Sequence, residues 1–237
     1  MKAKLVERRE VADRTLAFRI APEAGAVAFE PGQVCELTLI DPTFPDDLGN
    51  ARIFSVASSP LEQGLLFATR LTGSAFKRSL AEGPMGMEME VDGPYGEFTL
   101  HADAARPAVF LAGGIGITPF RSMIADLVGR KCKRRLTLVY SNRAATSVAF
   151  LDDLERWERE GPAFRLIATL TSPKAGEPWR HETGRVDRAF LERLLPGSEG
   201  AVWYAVGPNA FVSAMQALLN EAGIPPDSVR TETFAGY

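Results

Sequence analysis

Cysteine and histidine, two residue types that often bind metals, are scarce in this chain of 237 residues, which has two of each. Cys35 and Cys132 lie far apart and form no C-x-x-C spacing. The sequence therefore predicts neither an iron–sulfur cluster nor a cysteine zinc site, and we predict no metal ligand. We expect both cysteines to be buried thiols.

Long apolar runs and an excess of one charge are missing as well. No segment approaches the roughly eighteen uninterrupted apolar residues of a membrane span, and the N-terminal residues lack the apolar core of a signal peptide. The net charge is −3, with 27 basic and 30 acidic residues interspersed along the chain. This composition predicts no broad basic face, so we expect a cytoplasmic protein without membrane insertion or a nucleic-acid partner.

The residues that are present indicate two domains of different class, because 46% of them are hydrophobic and the patterning changes near residue 100. The first part has short strands with turns between them, which is typical of a small antiparallel β-barrel. These strands are predicted at Arg14–Ile20, Gln33–Ile40, Arg52–Ala57, Leu65–Leu71, Glu88–Val91 and Glu97–Leu100.

The second part alternates strands and helices, which is typical of an α/β domain with a parallel sheet covered on both faces. The predicted strands lie near 108–112, 136–140, 164–170 and 202–206, and the predicted helices near 119–129, 147–159, 187–194 and 209–222. We place the boundary in the polar and alanine-rich residues 101–107. The domains are then 1–103 and 104–237.

A glycine cluster between a predicted strand and a predicted helix is the strongest single motif. Gly113, Gly114 and Gly116 follow the apolar strand, Thr118 is a candidate N-cap, and Pro119 suits the first helical turn. Glycines there allow a pyrophosphate to approach backbone N–H groups at a helix N-terminus. The motif predicts a nucleotide site, although proline stands where the strict G-x-G-x-x-G pattern has its third glycine, and a plain turn is the alternative.

A second group of motifs lies in the first part of the chain. On a strand, Arg52 and Phe54 of Arg52-Ile53-Phe54-Ser55 share one side, where they could hold a phosphate and a flat ring, and the Ser55 hydroxyl could bond a ring nitrogen. Thr69 to Leu80 reads as a strand end, a glycine turn and a short helix whose Lys77 or Arg78 could complete a phosphate site. The alternative for both segments is an ordinary surface with solvated cations.

Taken together, these motifs resemble the ferredoxin–NADP reductase family over nearly the whole chain. Arg52 to Ser55 resembles its Arg-x-Tyr/Phe-Ser motif, and the predicted tight turn Gly93 to Phe98 resembles its Gly-Pro-x-Gly-x-Phe turn. The Gly113 to Pro119 stretch resembles its nicotinamide pyrophosphate loop, Val206-Gly207-Pro208 its Cys-Gly-Pro segment, and Glu232-Thr233-Phe234 its Glu-x-Phe ending. The resemblance implies a flavin-binding β-barrel, residues 1–103, followed by an NAD(P)-binding α/β domain, residues 104–237.

The resemblance also implies roles for individual residues. Arg52 would bind a flavin phosphate, Phe54 would pack on the isoalloxazine, and Ser55 would hydrogen-bond near flavin N5. Ser55 and Glu232, close to the hydride-transfer region, are the implied catalytic residues, and Phe234 or Tyr237 would cover the flavin. The remaining implied cofactor-binding residues are Ile53, Thr69, Arg70, Leu71, Ala75, Phe76, Lys77, Gly113, Gly114, Ile115, Gly116, Thr118, Pro119, Ser141, Asn142, Arg143, Gly207 and Pro208.

Two departures from the family pattern, and an arginine shortly after Tyr140, determine which cofactors are expected. Val206 replaces a cysteine that many members have beside the nicotinamide, and Lys77 replaces a serine or threonine that often bonds the flavin phosphate. FAD is expected, with FMN less favoured. No acidic residue directly follows Tyr140, whereas Arg143 lies close behind it, so NADPH is favoured over NADH as electron donor.

The expected function is a flavin-dependent NAD(P)H oxidoreductase that passes electrons through bound FAD to a separate acceptor. Because the chain predicts no cluster of its own, the expected acceptor is a ferredoxin-like or oxygenase protein. One alternative is a free-flavin reductase that releases its reduced flavin. Another is a non-catalytic electron-transfer or regulatory subunit that keeps the fold.

Overall fold

The computed structural model describes residues 1–194 and 196–234. They divide into two compact units, one of Met1–Leu100 with Thr118–Asp126 and one of His101–Ile117 with Leu127–Tyr237. The sequence boundary at residue 103 stays a prediction. Within the described residues, the helices are too short or too polar to cross a membrane.

Residues 1–100 of the first unit form a curled antiparallel sheet and one helix. The elements are β1 (Lys2–Ala12), β2 (Thr15–Pro22), β3 (Val34–Leu39), β4 (Ala51–Ser55), β5 (Leu65–Arg70), α1 (Ala75–Glu82) and β6 (Glu88–Tyr95). The six strands have the order β4-β3-β6-β1-β2-β5, and every neighbouring pair is antiparallel.

Alternating apolar residues place one face of this sheet in a core. Along β2, Leu16, Phe18 and Ile20 point into that core, where the Phe18 and Phe67 rings stack with centroids 5.6 Å apart. The two edge strands also approach each other, since the N–H of Ala57, just past β4, donates to the carbonyl of Leu66 in β5 at 2.7 Å. The sheet is therefore curled towards a barrel.

Two features of this unit differ from the sequence prediction. Strand β1 was not predicted, because only Ala3 and Leu5 of its first nine residues are buried, and its pairing with β2 and β6 forms it instead. The predicted strand Glu97–Leu100 was wrong. Strand β6 continues through Gly93 to Tyr95, and no strand follows it in 97–100, so the predicted turn between two strands is also wrong.

The second unit is built on a parallel sheet. The elements from residue 108 onwards are β7 (Ala108–Gly113), α2 (Ile117–Gly129), β8 (Leu136–Asn142), α3 (Leu151–Glu160), β9 (Phe164–Leu170), β10 (Glu182–Thr183), α4 (Arg188–Leu194), β11 (Val202–Pro208), α5 (Asn209–Glu221) and β12 (Val229–Phe234). Residues 118–126 of α2 belong to the first unit. The strand order is β10-β9-β8-β7-β11-β12, and every neighbouring pair is parallel. The predicted two-domain fold class is confirmed.

Central strands of this sheet are buried on both faces, as expected for a sheet covered by helices. All six residues of β7 are buried, and Val109 and Leu111 pack with Trp203 and with residues of α4 and α5. Helix α3 begins at Leu151 rather than 147, because residues 145–147 form a separate 3-10 turn and Val148 is extended. Cys132 is exposed, so its predicted burial was wrong, whereas Cys35 is buried.

Candidate functional site

In the first unit, strand β4 carries Arg52 to the side of helix α1. The Arg52 guanidinium lies 5.4 Å from the ring centroid of Phe76, the second residue of the helix. One of its nitrogens donates to three carbonyls of its own segment, those of Leu48, Gly49 and Ala51, at 3.2, 3.1 and 2.6 Å. The sequence motif is therefore anchored next to the start of α1.

Helix α1 adds a second cation to the same place. Ser74 caps the helix by accepting the N–H of Lys77 at 3.4 Å, and the Lys77 ammonium donates to Thr72 Oγ1 at 3.2 Å. Burial, and secondarily the charge of Arg52, lowers the pKa of Lys77 below its ordinary value. The first turn of α1 contains no acidic residue. Two cations beside a helix N-terminus form a place suited to phosphate.

Phe54 and Ile53 differ in their surroundings. The half-buried Phe54 ring lies 5.8 Å from the rings of both Phe18 and Phe76, so it belongs partly to the aromatic core. Ile53, the intervening residue, is 65% exposed. Arg52 and Phe54 thus both contact Phe76, as the strand alternation predicts.

Ser55 at the end of β4 has an unusual environment. Its side chain is 6% exposed, and its Oγ has no hydrogen-bond partner within the described residues. Leaving a buried hydroxyl unpaired costs about 1–3 kcal/mol. A bound acceptor or donor would remove that cost, so Ser55 fits the predicted hydrogen bond to a flavin ring.

The other predicted flavin-binding residues of this unit make no polar contact with Arg52 or Lys77 in the described part of the chain. Thr69 is buried in β5, Arg70 is exposed at the end of that strand, and Leu71 packs against the core. Ala75 begins α1 and is half-buried. No hydrogen bond or ion pair joins these four side chains to Arg52 or Lys77 within the described residues.

A cavity lies beside Arg52 that the sequence did not predict. Its volume is about 270 Å³, and it is lined by Leu39, Pro42, Phe44, Pro45, Asp46, Gly49, Asn50 and Phe76. The Arg78 guanidinium covers one face of the Phe44 ring at 3.8 Å, and the buried Ser79 hydroxyl bonds both backbone groups of Phe44. The only sequence signal for this loop is an aromatic residue between two prolines.

In the second unit, glycine is favoured at the three positions of the predicted loop for different structural reasons. A Cβ on Gly113 would lie 2.8 Å from the ring of Phe211, and one on Gly116 would lie 2.3 Å from the carbonyl oxygen of Val206. Packing therefore requires both. Gly114 has a φ of +55° and open space where a Cβ would stand. Only Gly114 and Ile115 of the Gly113 to Gly116 loop are partly exposed.

The start of α2 corrects one detail of the sequence prediction. Residues 114–116 form a 3-10 turn that leads directly into the helix at Ile117. Thr118 and Pro119 thus lie within the first helical turn, and Thr118 is not the N-cap. Both are buried, with Thr118 at 3% exposure.

The carboxyl ends of β11 and β12 bring the predicted C-terminal motifs together. Their register pairs Val206 with Glu232 and Pro208 with Phe234, with Gly207 between them. Glu232 Oε2 is buried without a hydrogen-bond partner in the described part of the chain, and burial raises the pKa of Glu232 to about 7. Tyr237, predicted to cover the flavin, lies outside the described residues.

Strand β8 ends in the predicted nicotinamide-nucleotide residues. Ser141 and Asn142 are buried, whereas Arg143 is exposed and its guanidinium makes no ion pair with the described residues. Sequence reasoning missed Glu177, whose carboxylate oxygen accepts the N–H of Ala145 at 2.9 Å. No local signal could reveal it, because 32 residues separate the two partners.

Comparison with known proteins agrees with the two-domain fold. Residues 110–217 match the family described as the oxidoreductase NAD-binding domain. The FAD/NAD-binding domain of a nitric oxide dioxygenase from Vibrio cholerae has the same fold, with a TM-score of 0.86, 17% identity and 98% of each chain covered. The chain therefore has the fold of this FAD/NAD-binding domain, and its residues 110–217 resemble an oxidoreductase NAD-binding domain.

The chain is also similar in sequence to proteins of known name. It is 27% identical over 216 residues to reductase component 2 of a terephthalate 1,2-dioxygenase from Comamonas, covering 90% of this chain and 62% of the relative. It is also 27% identical over 236 residues to a phenol hydroxylase P5 protein from Acinetobacter pittii, covering 98% and 65%. The chain thus spans less than two thirds of the length of these relatives.

Proposed function

We propose that this chain is a flavin-dependent NAD(P)H oxidoreductase that passes electrons through bound FAD to a separate acceptor. The observation that carries the proposal is the buried Ser55 hydroxyl, which lacks a partner in the described residues and follows Arg52 on the same strand. A hydrogen-bonding group and a phosphate-binding cation at this spacing suit a flavin ring and its phosphate.

Within the first unit, each part of the flavin has a candidate binding group. Arg52 and Lys77 would neutralise phosphate charge at the start of α1, since both cations lie there and Lys77 is partly desolvated. Phe54 would limit the position of the ring system, and Ser55 would fix its orientation by hydrogen bonding. Bound flavin supplies the exchange between a hydride donor and one-electron acceptors.

The cavity beside Arg52 supports FAD over FMN. This cavity of about 270 Å³ lies next to the proposed phosphate site, and its apolar wall contains Phe44 and Phe76. FMN ends at its single phosphate, whereas FAD continues to an adenosine that needs a further surface. Phe44 lines this cavity and would provide a flat face for the adenine ring, while the Arg78 guanidinium lies 3.8 Å from the centroid of the Phe44 ring.

Within the second unit, the loop after β7 and the ends of β11 and β12 would bind NAD(P)H. Gly114 leaves space for a pyrophosphate next to the backbone. Glu232 would hold a proton near the nicotinamide, since burial raises its pKa to about 7 and both protonation states are then accessible at neutral pH.

The proposed acceptor is a separate ferredoxin-like or oxygenase protein. A relative at 27% identity is named as the reductase component of a dioxygenase, which supports an oxygenase partner. The expectation of NADPH from the sequence rests on Arg143, whose side chain is exposed. The cytoplasmic location expected from the sequence stays a prediction.

The proposal is tested by equilibrium dialysis of the purified chain against FAD and FMN, followed by NAD(P)H oxidation with an artificial electron acceptor. We expect retention of FAD, weaker retention of FMN, and oxidation of NAD(P)H by the FAD-loaded protein. Flavin that washes out completely while turnover continues would favour a free-flavin reductase. Retained flavin without any NAD(P)H oxidation would contradict the proposed activity.

A further inference from the structure

The carboxylate of Glu177 joins the two loops that follow neighbouring strands β8 and β9. One oxygen accepts the N–H of Ala145 at 2.9 Å, and the other accepts the N–H of Lys174 at 3.0 Å. The backbone adds a direct link, since the N–H of Ser172 donates to the carbonyl of Arg143 at 3.0 Å. Glu177 is therefore held in a fixed position at the carboxyl end of the sheet.

This position matters because of how dinucleotide-binding sheets hold the adenosine ribose. The ribose lies near the end of the second strand, where an acidic residue accepts the 2′-hydroxyl or an arginine binds a 2′-phosphate. Strand β8 is the second strand of this unit and pairs with β7, which carries the glycine loop. The segment directly after Tyr140 has no acidic residue, but Glu177 brings a carboxylate to the same loop.

The hydrogen bonds of Glu177 favour a hydroxyl over a phosphate. A 2′-phosphate needs N–H donors, and the carboxylate already occupies the N–H of Ala145. The phosphate would also meet a fixed negative charge. A 2′-hydroxyl, by contrast, can donate to the carboxylate, because each oxygen accepts one backbone bond and has a second lone pair.

Arg143 is the group that would oppose this preference. It lies on the same loop and is exposed, without an ion pair among the described residues. A solvated arginine is free to move, whereas Glu177 is fixed by two backbone bonds. The fixed group therefore sets the selectivity.

We infer that Glu177 selects the unphosphorylated adenosine ribose and makes NADH the preferred electron donor, contrary to the expectation from Arg143. This inference rests on the proposed function, because it names the donor that the nicotinamide site takes. Glu177 acts here as a specificity-determining residue.

Calorimetric binding of 5′-AMP and of adenosine 2′,5′-bisphosphate to the full chain tests the inference without relying on turnover. We expect the wild type to bind 5′-AMP more tightly. Glu177→Gln should shift the affinity ratio towards the bisphosphate by about tenfold, or about 1.4 kcal/mol. Glu192→Gln removes an equal charge from the exposed face of α4, where Glu192 pairs with Arg188, and should leave the ratio unchanged.

The possible results separate this inference from the proposed function. If neither nucleotide binds the wild type, the nicotinamide site of the proposed function is wrong, and the inference falls with it. If the wild type binds the bisphosphate more tightly, or if Glu177→Gln matches Glu192→Gln, only the inference is overturned. If Glu177→Gln does not fold, Glu177→Asp decides: the shorter side chain withdraws the carboxylate from the N–H of Ala145 and should shift the affinity ratio towards the bisphosphate, whereas an unchanged ratio overturns the inference.

Discussion

The flavin site proposed in the first unit and the nucleotide site proposed in the second are built by different means. In the first unit the candidate ligand groups are side chains, with Arg52 and Lys77 beside α1 and Ser55 at the end of β4. In the second unit the loop after β7 offers backbone, and two of its three glycines are needed for packing against Phe211 and Val206.

This difference determines how each sequence motif can be tested for function. A side-chain motif on a strand can be tested for function directly, because removing Arg52 leaves the strand in place. A glycine motif combines packing and binding, so substitutions must separate the two. In this chain Gly116 is a packing residue and Gly114 faces open space, although both belong to one sequence pattern.

The largest expected effect is on flavin retention in the first unit. Hydrogen bonds to charged groups contribute about 1.5–3 kcal/mol, so Arg52→Ala should weaken FAD binding by about 10- to 100-fold. Arg9→Ala is a matched control, since Arg9 is a surface arginine of the same unit that pairs with Glu7. Fluorescence titration with FAD measures both, and equal affinities would remove Arg52 from the phosphate site.

A pair of alanine substitutions tests whether Gly116 and Gly114 have separate roles in packing and binding. Gly116→Ala should lower the free energy of unfolding by about 1–3 kcal/mol, because its Cβ would overlap the carbonyl of Val206. Gly114→Ala should lower the free energy of unfolding by only about 1 kcal/mol, because of its left-handed φ. Its main effect should be weaker binding of dinucleotides that contain 5′-AMP. Urea unfolding and NADH titration distinguish the two, and equal losses of stability would contradict separate roles.

Ser55→Ala should separate apoprotein stability from cofactor binding. Removing a buried hydroxyl that lacks a partner should leave the apoprotein as stable or more stable by up to about 1 kcal/mol. FAD binding should weaken by about three- to tenfold, since the hydrogen bond to the ring is lost. Thermal unfolding with and without FAD measures both quantities. A less stable apoprotein with unchanged FAD affinity would make Ser55 a structural residue.

The smallest expected effect is a pH dependence from the second unit. Burial raises the pKa of Glu232 from 4.5 to about 7, so between these values the folded state binds more protons than the unfolded state. Stability from this group is therefore lost as pH rises through that window. Glu232→Gln should lack this component in urea unfolding across the same range, and identical pH profiles of variant and wild type would refute the raised pKa.

Much of the fold and of the proposed flavin site was predictable, because local patterning and local motifs carry it. The strand predicted at Arg14–Ile20 corresponds to β2, and the Arg52 to Ser55 motif identified a group that the structure places beside α1. Strand β1 was not predictable in this way, since its charged residues form a strand only through pairing with β2 and β6.

Long-range contacts explain what the sequence could not show in the nucleotide site proposed in the second unit. Glu177 reaches Ala145 across 32 residues, and the clash at Gly116 is with Val206, on a strand much later in the chain. Neither relation has a local spacing. The prediction of the start of α2 was wrong for a different reason, because a 3-10 turn precedes the helix and Thr118 does not cap it.

The most direct test of the proposed oxidoreductase is the visible absorbance of the freshly purified chain during anaerobic addition of one equivalent of NADH or NADPH. We predict a flavin spectrum that bleaches on addition of the reduced nicotinamide, faster with NADH. A colourless protein that neither binds added FAD nor oxidises either nucleotide would contradict the proposed function.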